Sequence, residues 1–223
     1  MKHINITIDG PSGVGKTTLA NITAKRFNCI HVDTGAMFRT FAIYFDKKGT
    51  DEENEQAVCA ELSNIDIGIK YIDGEQHMIL NGEDVTGLIR TERISHVASV
   101  ISRYGNVRDE LLKLQRKLAA ENNVIMDGRD IGTVVLPDAG TKIFLTARPE
   151  VRAKRRYDEL KAKGKLEGAE LSDIEKDIIE RDFRDSHREI APLVPAKDAV
   201  IIDTSDLSID EVAERIAGEI HGC

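Results

Sequence analysis

Ile4-Asn5-Ile6-Thr7-Ile8-Asp9-Gly10-Pro11-Ser12-Gly13-Val14-Gly15-Lys16-Thr17 decides the fold. Ile4 to Asp9 is a short, mostly apolar run that ends in an acid, as a strand of a buried sheet does. Gly10 to Thr17 then fits Gly-x-x-x-x-Gly-Lys-[Ser/Thr] and opens a helical segment, the context that motif needs. Its glycines let backbone N–H groups approach phosphate oxygens. The helix N-terminus adds positive potential. Lys16 is suited to neutralise β- and γ-phosphates, and the Thr17 hydroxyl to ligate Mg²⁺. The expected ATP contacts are Gly10, Pro11, Ser12, Gly13, Val14, Gly15, Lys16, Thr17 and Thr18. A glycine-rich turn without a ligand is the competing reading. The placement between strand and helix favours a nucleoside triphosphate, without saying what is done to it.

Four more short apolar runs follow: Cys29 to Asp33, Val124 to Asp127, Lys142 to Thr146 and Ala199 to Asp203. Longer amphipathic segments alternate with them, which predicts an α/β fold built on a five-stranded parallel sheet. Thr50 with Glu53, Ser172 with Glu175 and Ser208 with Glu211 fit helix-opening capping boxes. Val107, Leu111, Leu114 and Leu118 mark a helix over Asn106 to Glu121. One stretch breaks the rhythm. Ile65, Ile67, Ile69 and Tyr71 alternate with polar residues, and Asp73-Gly74 and Asn81-Gly82 separate two further short runs. Both dipeptides suit the positive φ of tight hairpins, so a three-stranded antiparallel meander is expected as a small insert.

The 223 residues carry 31 Lys and Arg against 39 Asp and Glu, a net charge of −8. That argues against a nucleic-acid polymer as partner but leaves room for a basic pocket and a small anion. Aromatic residues total 4% and Trp is absent, which disfavours a base-stacking platform. No run is long and apolar enough for a membrane span, and Met1 to Asp9 lacks the core and cleavage site of a secretory signal. Cys29, Cys59 and Cys223 make no CxxC pair, so a cytoplasmic protein with free thiols is expected. The six histidines show no ligand spacing and read as core or surface residues.

Candidate site residues cluster around a few acids and many arginines. Asp127-Gly128-Arg129-Asp130 closes a predicted strand, where Asp127 can hold Mg²⁺ through water. Arg181, Asp185 and Arg188 fall on one helical face. Arg148, Arg152 and Arg155 repeat that spacing before the charged, glycine-punctuated Lys161 to Gly168, which suggests a phosphoryl-transfer lid. Solvated, salt-bridged helix faces explain both spacings as well. Arg39 and Arg108 add positive charge, and several arginines with a phosphate loop suggest a second anionic substrate.

In its whole pattern the chain resembles the bacterial cytidylate kinases. The carriers are Ile8 to Thr17, Asp33-Thr-Gly-Ala-Met-Phe-Arg39, Gly82-Glu-Asp-Val-Thr-Gly87 with Ile89-Arg90, Met126 to Thr133, Arg181 to Arg188 and Ala191-Pro-Leu-Val-Pro195. The resemblance implies a kinase core over residues 1–62 and 93–223, a lid near 148–171 and a CMP-binding insert over 63–92. It implies Mg²⁺-assisted transfer from ATP to CMP or dCMP, and a domain that looks self-contained suggests a monomer. Thr34, Ser99, Arg108, Asp130 and Arg188 match positions around the cytosine. Arg39 and Arg129 match positions near the CMP phosphate, and Arg181 and Asp185 match pentose contacts. Lys16, Asp127, Arg129 and Arg152 are the catalytic set expected on this basis. Phe38 stands where the family more often has Tyr, and Lys163 to Leu171 lacks the family's Lys-Gly-Phe. The nearest rival is a kinase for UMP, AMP or a small metabolite such as shikimate. A guanine-nucleotide switch is disfavoured because Asn-Lys-x-Asp is absent.

Overall fold

A computed structural model describes residues 3–166 and 168–220. His221 and Cys223, read above as a non-ligand histidine and a free thiol, lie outside the described residues, as does Glu167 in the expected lid.

Five parallel strands form the main sheet: β1 (Asn5–Asp9), β2 (Ile30–Asp33), β6 (Val124–Gly128), β7 (Thr141–Thr146) and β8 (Val200–Asp203), in the order β2-β6-β1-β7-β8. A separate antiparallel sheet holds β3 (Ile67–Ile72), β4 (Glu75–Leu80) and β5 (Glu83–Asp84). The helices are α1 (Lys16–Arg26), α2 (Thr34–Lys48), α3 (Glu55–Glu61), α4 (Glu92–Ile101), α5 (Gly105–Glu121), α6 (Pro149–Ala162), α7 (Leu171–His187) and α8 (Ile209–Glu219). No helix among the described residues is long and apolar enough to cross a membrane.

Strand alternation splits the core into two layers. Ile6, Ile8, Ile125, Ile143 and Leu145 face Leu19 and Ala20 of α1 and Val212 and Ile216 of α8. Val124 and Met126 face the other way, toward Met37 and Phe41 of α2, Val97 of α4 and Leu111 of α5. The central strand β6 therefore opens on the continuous apolar run Val124 to Met126, and the carboxyl ends of β1 and β6 lie side by side, with Asp9 level with Gly128.

The meander forms as its turn residues dictate. Asp73 and Gly74 have φ of 53° and 79°, and Asn81 and Gly82 have 48° and 86°, the paired positive values of a two-residue hairpin. Met78, Leu80, Val85 and Ile89 bury their side chains in the layer that contains Val32, Met37 and Phe45. The small sheet thus completes the α2 side of the core. It also serves an edge. β2 pairs only with β6, so its outer backbone groups need partners. Gln76 supplies them: the Asp33 N–H donates to Gln76 Oε1 at 2.8 Å, and Gln76 Nε2 donates to the Asp33 carbonyl at 3.3 Å. The Tyr71 hydroxyl donates to the His31 carbonyl at 3.0 Å. Gln76→Leu leaves two part-buried backbone groups of Asp33 without these partners. It is expected to cost about 1–3 kcal/mol in urea unfolding; a change below about 0.5 kcal/mol would show that water replaces them.

Two helix starts differ from the sequence expectation. Thr50 ends a helix instead of opening one. Gly49 adopts φ 70°, and the Thr50 N–H returns to the Phe45 carbonyl at 3.0 Å, a Schellman-type closure of α2. The next helix is capped by Asn54, which accepts from the Ala57 N–H at 3.1 Å. For α7 the capping box is Glu170 with Asp173, two residues before Ser172 with Glu175. Ser208 with Glu211 caps α8 as expected.

Candidate active site

The loop after β1 wraps the N-terminus of α1. A Cβ on Gly10 would lie 2.3 Å from the Leu145 carbonyl oxygen, so only glycine lets the chain leave β1 past β7. The Lys16 side chain is buried, and Nζ donates to the Pro11 carbonyl at 2.7 Å, closing the loop on itself. Burial, and next the charge of Arg129, hold the Lys16 amine well below its ordinary pKa. Arg152 braces the loop from α6. It is 3% exposed, with Nε on the Ala147 carbonyl at 2.9 Å, Nη1 on the Ser12 carbonyl at 3.2 Å and Nη2 on Asp182 at 2.5 Å. The side chain read as a lid arginine is thus bonded within the protein through all three nitrogens.

β6 ends beside this loop. The Thr17 hydroxyl donates to Asp127 Oδ2 at 3.2 Å, and the Thr34 hydroxyl donates to the Asp127 carbonyl at 2.7 Å. Asp9 fixes the next turn, Ile131–Val135, by accepting from the Ile131 and Gly132 N–H groups at 2.9 and 2.7 Å. Two acids at adjacent strand ends thereby set where Arg129 and Asp130 emerge.

Burial pushes the Asp9 carboxyl up to about 6, against the pull of those two N–H groups. Between about pH 4 and 6 the folded chain keeps a proton that the unfolded chain, near 3.8, releases. The stability due to Asp9 therefore falls as pH rises through that window. In Asp9→Asn the group no longer titrates. The wild-type advantage over this variant in urea unfolding is expected to be larger at pH 4.5 than at pH 7. An advantage that grows with pH contradicts this sign.

Two charge clusters flank the turn. In the first, Asp130 accepts from Nη2 of Arg108 and, at 3.2 Å, from Nη2 of Arg188. Arg108 also donates to the Ser102 carbonyl at 3.1 Å and stacks over Phe38, 5.6 Å from the ring centre. Phe38 thus holds Arg108 through its ring face, which needs no hydroxyl. Arg188 is anchored on the Ala191 carbonyl at 2.6 Å. Ser99, Asp185 and Arg188 line one small cleft between α4 and the end of α7.

The second cluster has an excess of positive charge. Arg129 Nε donates to Asp185 at 3.0 Å, and Arg39 donates to Asp33 at 3.1 Å. Arg181 lies near both arginines: burial first, then the charge of Arg129 and also that of Arg39, lower its pKa to about 10, while Asp185 acts in the opposite direction. Burial works against the Asp185 charge, but Arg129 and Arg181 outweigh it and hold the carboxyl below its ordinary value. The Nε atoms of Arg39 and Arg181 are buried without a hydrogen-bond partner in the protein. Such donors carry a cost of about 1–3 kcal/mol each unless a ligand accepts from them.

Of the site residues read from the sequence, the phosphate loop, Thr34, Asp127, Arg129 and Asp130 lie at the carboxyl ends of β1, β2 and β6, whereas Arg148 and Arg155 are bonded to Asp206 and Thr204 after β8. Sequence reasoning missed His31, Asn21, Gln76 and Asp182. His31 Nε2 lies 2.6 Å from Asp127 Oδ1, and its Nδ1 lies 3.0 Å from Asn21 Oδ1. Burial opposes a charged His31 ring, but the hydrogen bond and charge of Asp127 prevail and raise its pKa above the ordinary value. The only signal in the sequence was a lone histidine in a buried strand.

The sequence profile of the cytidylate kinase family matches residues 6–222. The chain belongs to the cytidylate kinase family. A cytidylate kinase of Caldicellulosiruptor saccharolyticus is 47% identical over 217 residues, which cover 97% of this chain and 95% of that one. A cytidylate kinase of Leuconostoc mesenteroides is 43% identical over 221 residues, 99% and 98% of the two chains. An uncharacterized protein from Eubacterium ventriosum has a similar solved structure, with a TM-score of 0.51 and 14% identity over 97% of each chain; that likeness concerns the fold alone. As a cytidylate kinase family member the chain is a nucleoside monophosphate kinase of the CMP kinase class.

Proposed function

We propose that this enzyme transfers the γ-phosphoryl group of ATP to CMP or dCMP, giving ADP and CDP or dCDP. The observation that carries the reading is the basic cluster of Arg39, Arg129 and Arg181, with two orphaned buried Nε donors, near Lys16 of the phosphate loop. A protein with net charge −8 has concentrated positive charge where two phosphates would meet.

ATP is held by Gly10 to Thr18, with Lys16 moving from the Pro11 carbonyl to the β- and γ-phosphates. The CMP phosphate sits among Arg39, Arg129 and Arg181. Asp185, already oriented by Arg129, accepts from a pentose hydroxyl that deoxyribose retains. Arg108, Asp130 and Arg188 present donors and acceptors to the cytosine edge, with Ser99 and Thr34 beside them. A base of the wrong pattern would leave these groups unpaired. A phosphate oxygen of CMP attacks the γ-phosphorus in line, and the bond to the β,γ-bridging oxygen breaks, releasing ADP. That phosphate is already ionised at neutral pH, so no general base is needed. The chain supplies alignment and charge neutralisation. Arg152 holds the Ser12 end of the loop and is available to the transferred group if α6 moves.

Thr17 and Asp127 suit Mg²⁺: both are hard oxygen donors, 3.2 Å apart at the loop. Among the described residues no group of three or more His, Cys, Asp or Glu could hold a metal alone, in keeping with an ion that takes most of its ligands from phosphates and water. When bound it would offset charge on the β- and γ-phosphates. We place the reaction in the cytoplasm, catalysed by a monomer on free nucleotides, with no membrane or nucleic-acid polymer as partner.

ADP formation with CMP, dCMP, UMP, AMP and GMP offered separately tests the reading. Turnover selective for CMP and dCMP is expected. Preference for UMP or AMP would show the base-site assignment to be wrong. ADP release that ignores the acceptor would remove the transfer itself.

A further inference from the structure

We propose that His31 positions the Asp127 carboxylate for the metal that accompanies ATP. This rests on the reading of Asp127 as a metal-binding carboxylate. Thr17 and Asn21 stand one turn apart on α1, on the same face. Between them runs a closed chain of contacts: Thr17 Oγ1 to Asp127 Oδ2 at 3.2 Å, Asp127 Oδ1 to His31 Nε2 at 2.6 Å, and His31 Nδ1 to Asn21 Oδ1 at 3.0 Å. A carboxylate only accepts, so Nε2 carries the hydrogen and donates. Each Asp127 oxygen thus has its own partner, and the carboxylate cannot rotate without losing both. His31 is itself held at three points: the ring by Asn21 and Asp127, and the backbone carbonyl by Tyr71 of the small sheet at 3.0 Å.

A polar ring in a strand flanked by Ile30 and Val32 is costly to bury unless its nitrogens are bonded. Packing alone would be served by an apolar side chain. What the imidazole adds is a donor that fixes one oxygen of Asp127 and leaves the other to Thr17, the residue expected on the metal. Partners that orient metal-binding side chains typically change metal affinity by about 10–100-fold when removed.

Calorimetric binding of ADP, with Mg²⁺ and with EDTA, tests this without turnover. His31→Asn keeps an amide near Asn21 but is too short to reach Asp127. His31→Gln reaches Asp127. The factor by which Mg²⁺ tightens ADP binding is expected to fall about 10-fold in His31→Asn, with affinity in EDTA unchanged, and to be largely retained in His31→Gln. Asp127→Asn is the reference for loss of the metal-binding carboxylate. If His31→Asn keeps the wild-type Mg²⁺ factor while Asp127→Asn loses it, His31 does not position Asp127. If Asp127→Asn also keeps it, the metal reading fails and the proposal falls with it. Equal losses with and without Mg²⁺, or equal losses in the Asn and Gln variants, assign His31 a packing role and overturn the proposal.

Discussion

Lys16→Met is expected to lower kcat by at least about 10²-fold, while the ligand-free protein stays as stable as wild type or becomes more so. The two halves have one cause. In the free enzyme Lys16 is buried near Arg129 and Arg181, and its charged form is disfavoured. Below the ordinary lysine pKa, that mismatch between folded and unfolded states subtracts from stability. Methionine keeps most of the packing, removes the charge and loses one bond to the Pro11 carbonyl. In the proposed reaction Lys16 becomes favourable only when the β- and γ-phosphates arrive, so its energy is expected to appear in catalysis. Steady-state kinetics and thermal unfolding of the same preparation decide the matter. Parallel losses of activity and folded protein would make Lys16 a structural residue.

Arg129→Met carries the second large effect. Arg129 stands between the two proposed nucleotide sites: its charge acts on Lys16 and Arg181, and its Nε donates to Asp185. Asp185 keeps the nearby Arg181 charge, so the fold should survive. Loss of a donor that stabilises charge between two phosphates costs about 10²–10³-fold. kcat/KM for CMP is expected to fall by that factor, and the KM for ATP to change by less than about 3-fold. A change confined to the ATP KM would move Arg129 out of the acceptor site.

What could be read from the sequence was local. Each of the five parallel strands is a short run rich in Ile, Val, Leu, Met or Phe, and the phosphate loop contains its own structural context, so the fold followed from patterns within a dozen residues. The meander was legible because Asp73-Gly74 and Asn81-Gly82 allow the φ that their turns need. Errors arose where two local rules competed. Thr50 with Glu53 has the spacing of a capping box, but Gly49 ends α2 first and claims Thr50 for that closure. Two boxes overlap at the start of α7, and the one with an acid at both positions forms.

Long-range pairings were not legible. His31 meets Asp127 across 96 positions, and Gln76 meets Asp33 across 43. No spacing rule connects them; they exist because β2 is an edge strand next to β6. The arginines were visible individually, and the resemblance assigned them to the acceptor nucleotide. Their division into a pair bonded to Asp130 and a group around Arg129 that keeps two unpartnered donors appeared only in three dimensions.

In the proposed reaction the group of Arg39, Arg129 and Arg181 receives the acceptor phosphate. A crystal structure with CMP and ADP bound tests it most directly. CMP phosphate oxygens are expected within hydrogen-bond distance of Arg39, Arg129 and Arg181, with the two previously orphaned Nε donors engaged and the cytosine edge on Arg108, Asp130 and Arg188. A CMP phosphate bound elsewhere, with those donors still unpartnered, would contradict it.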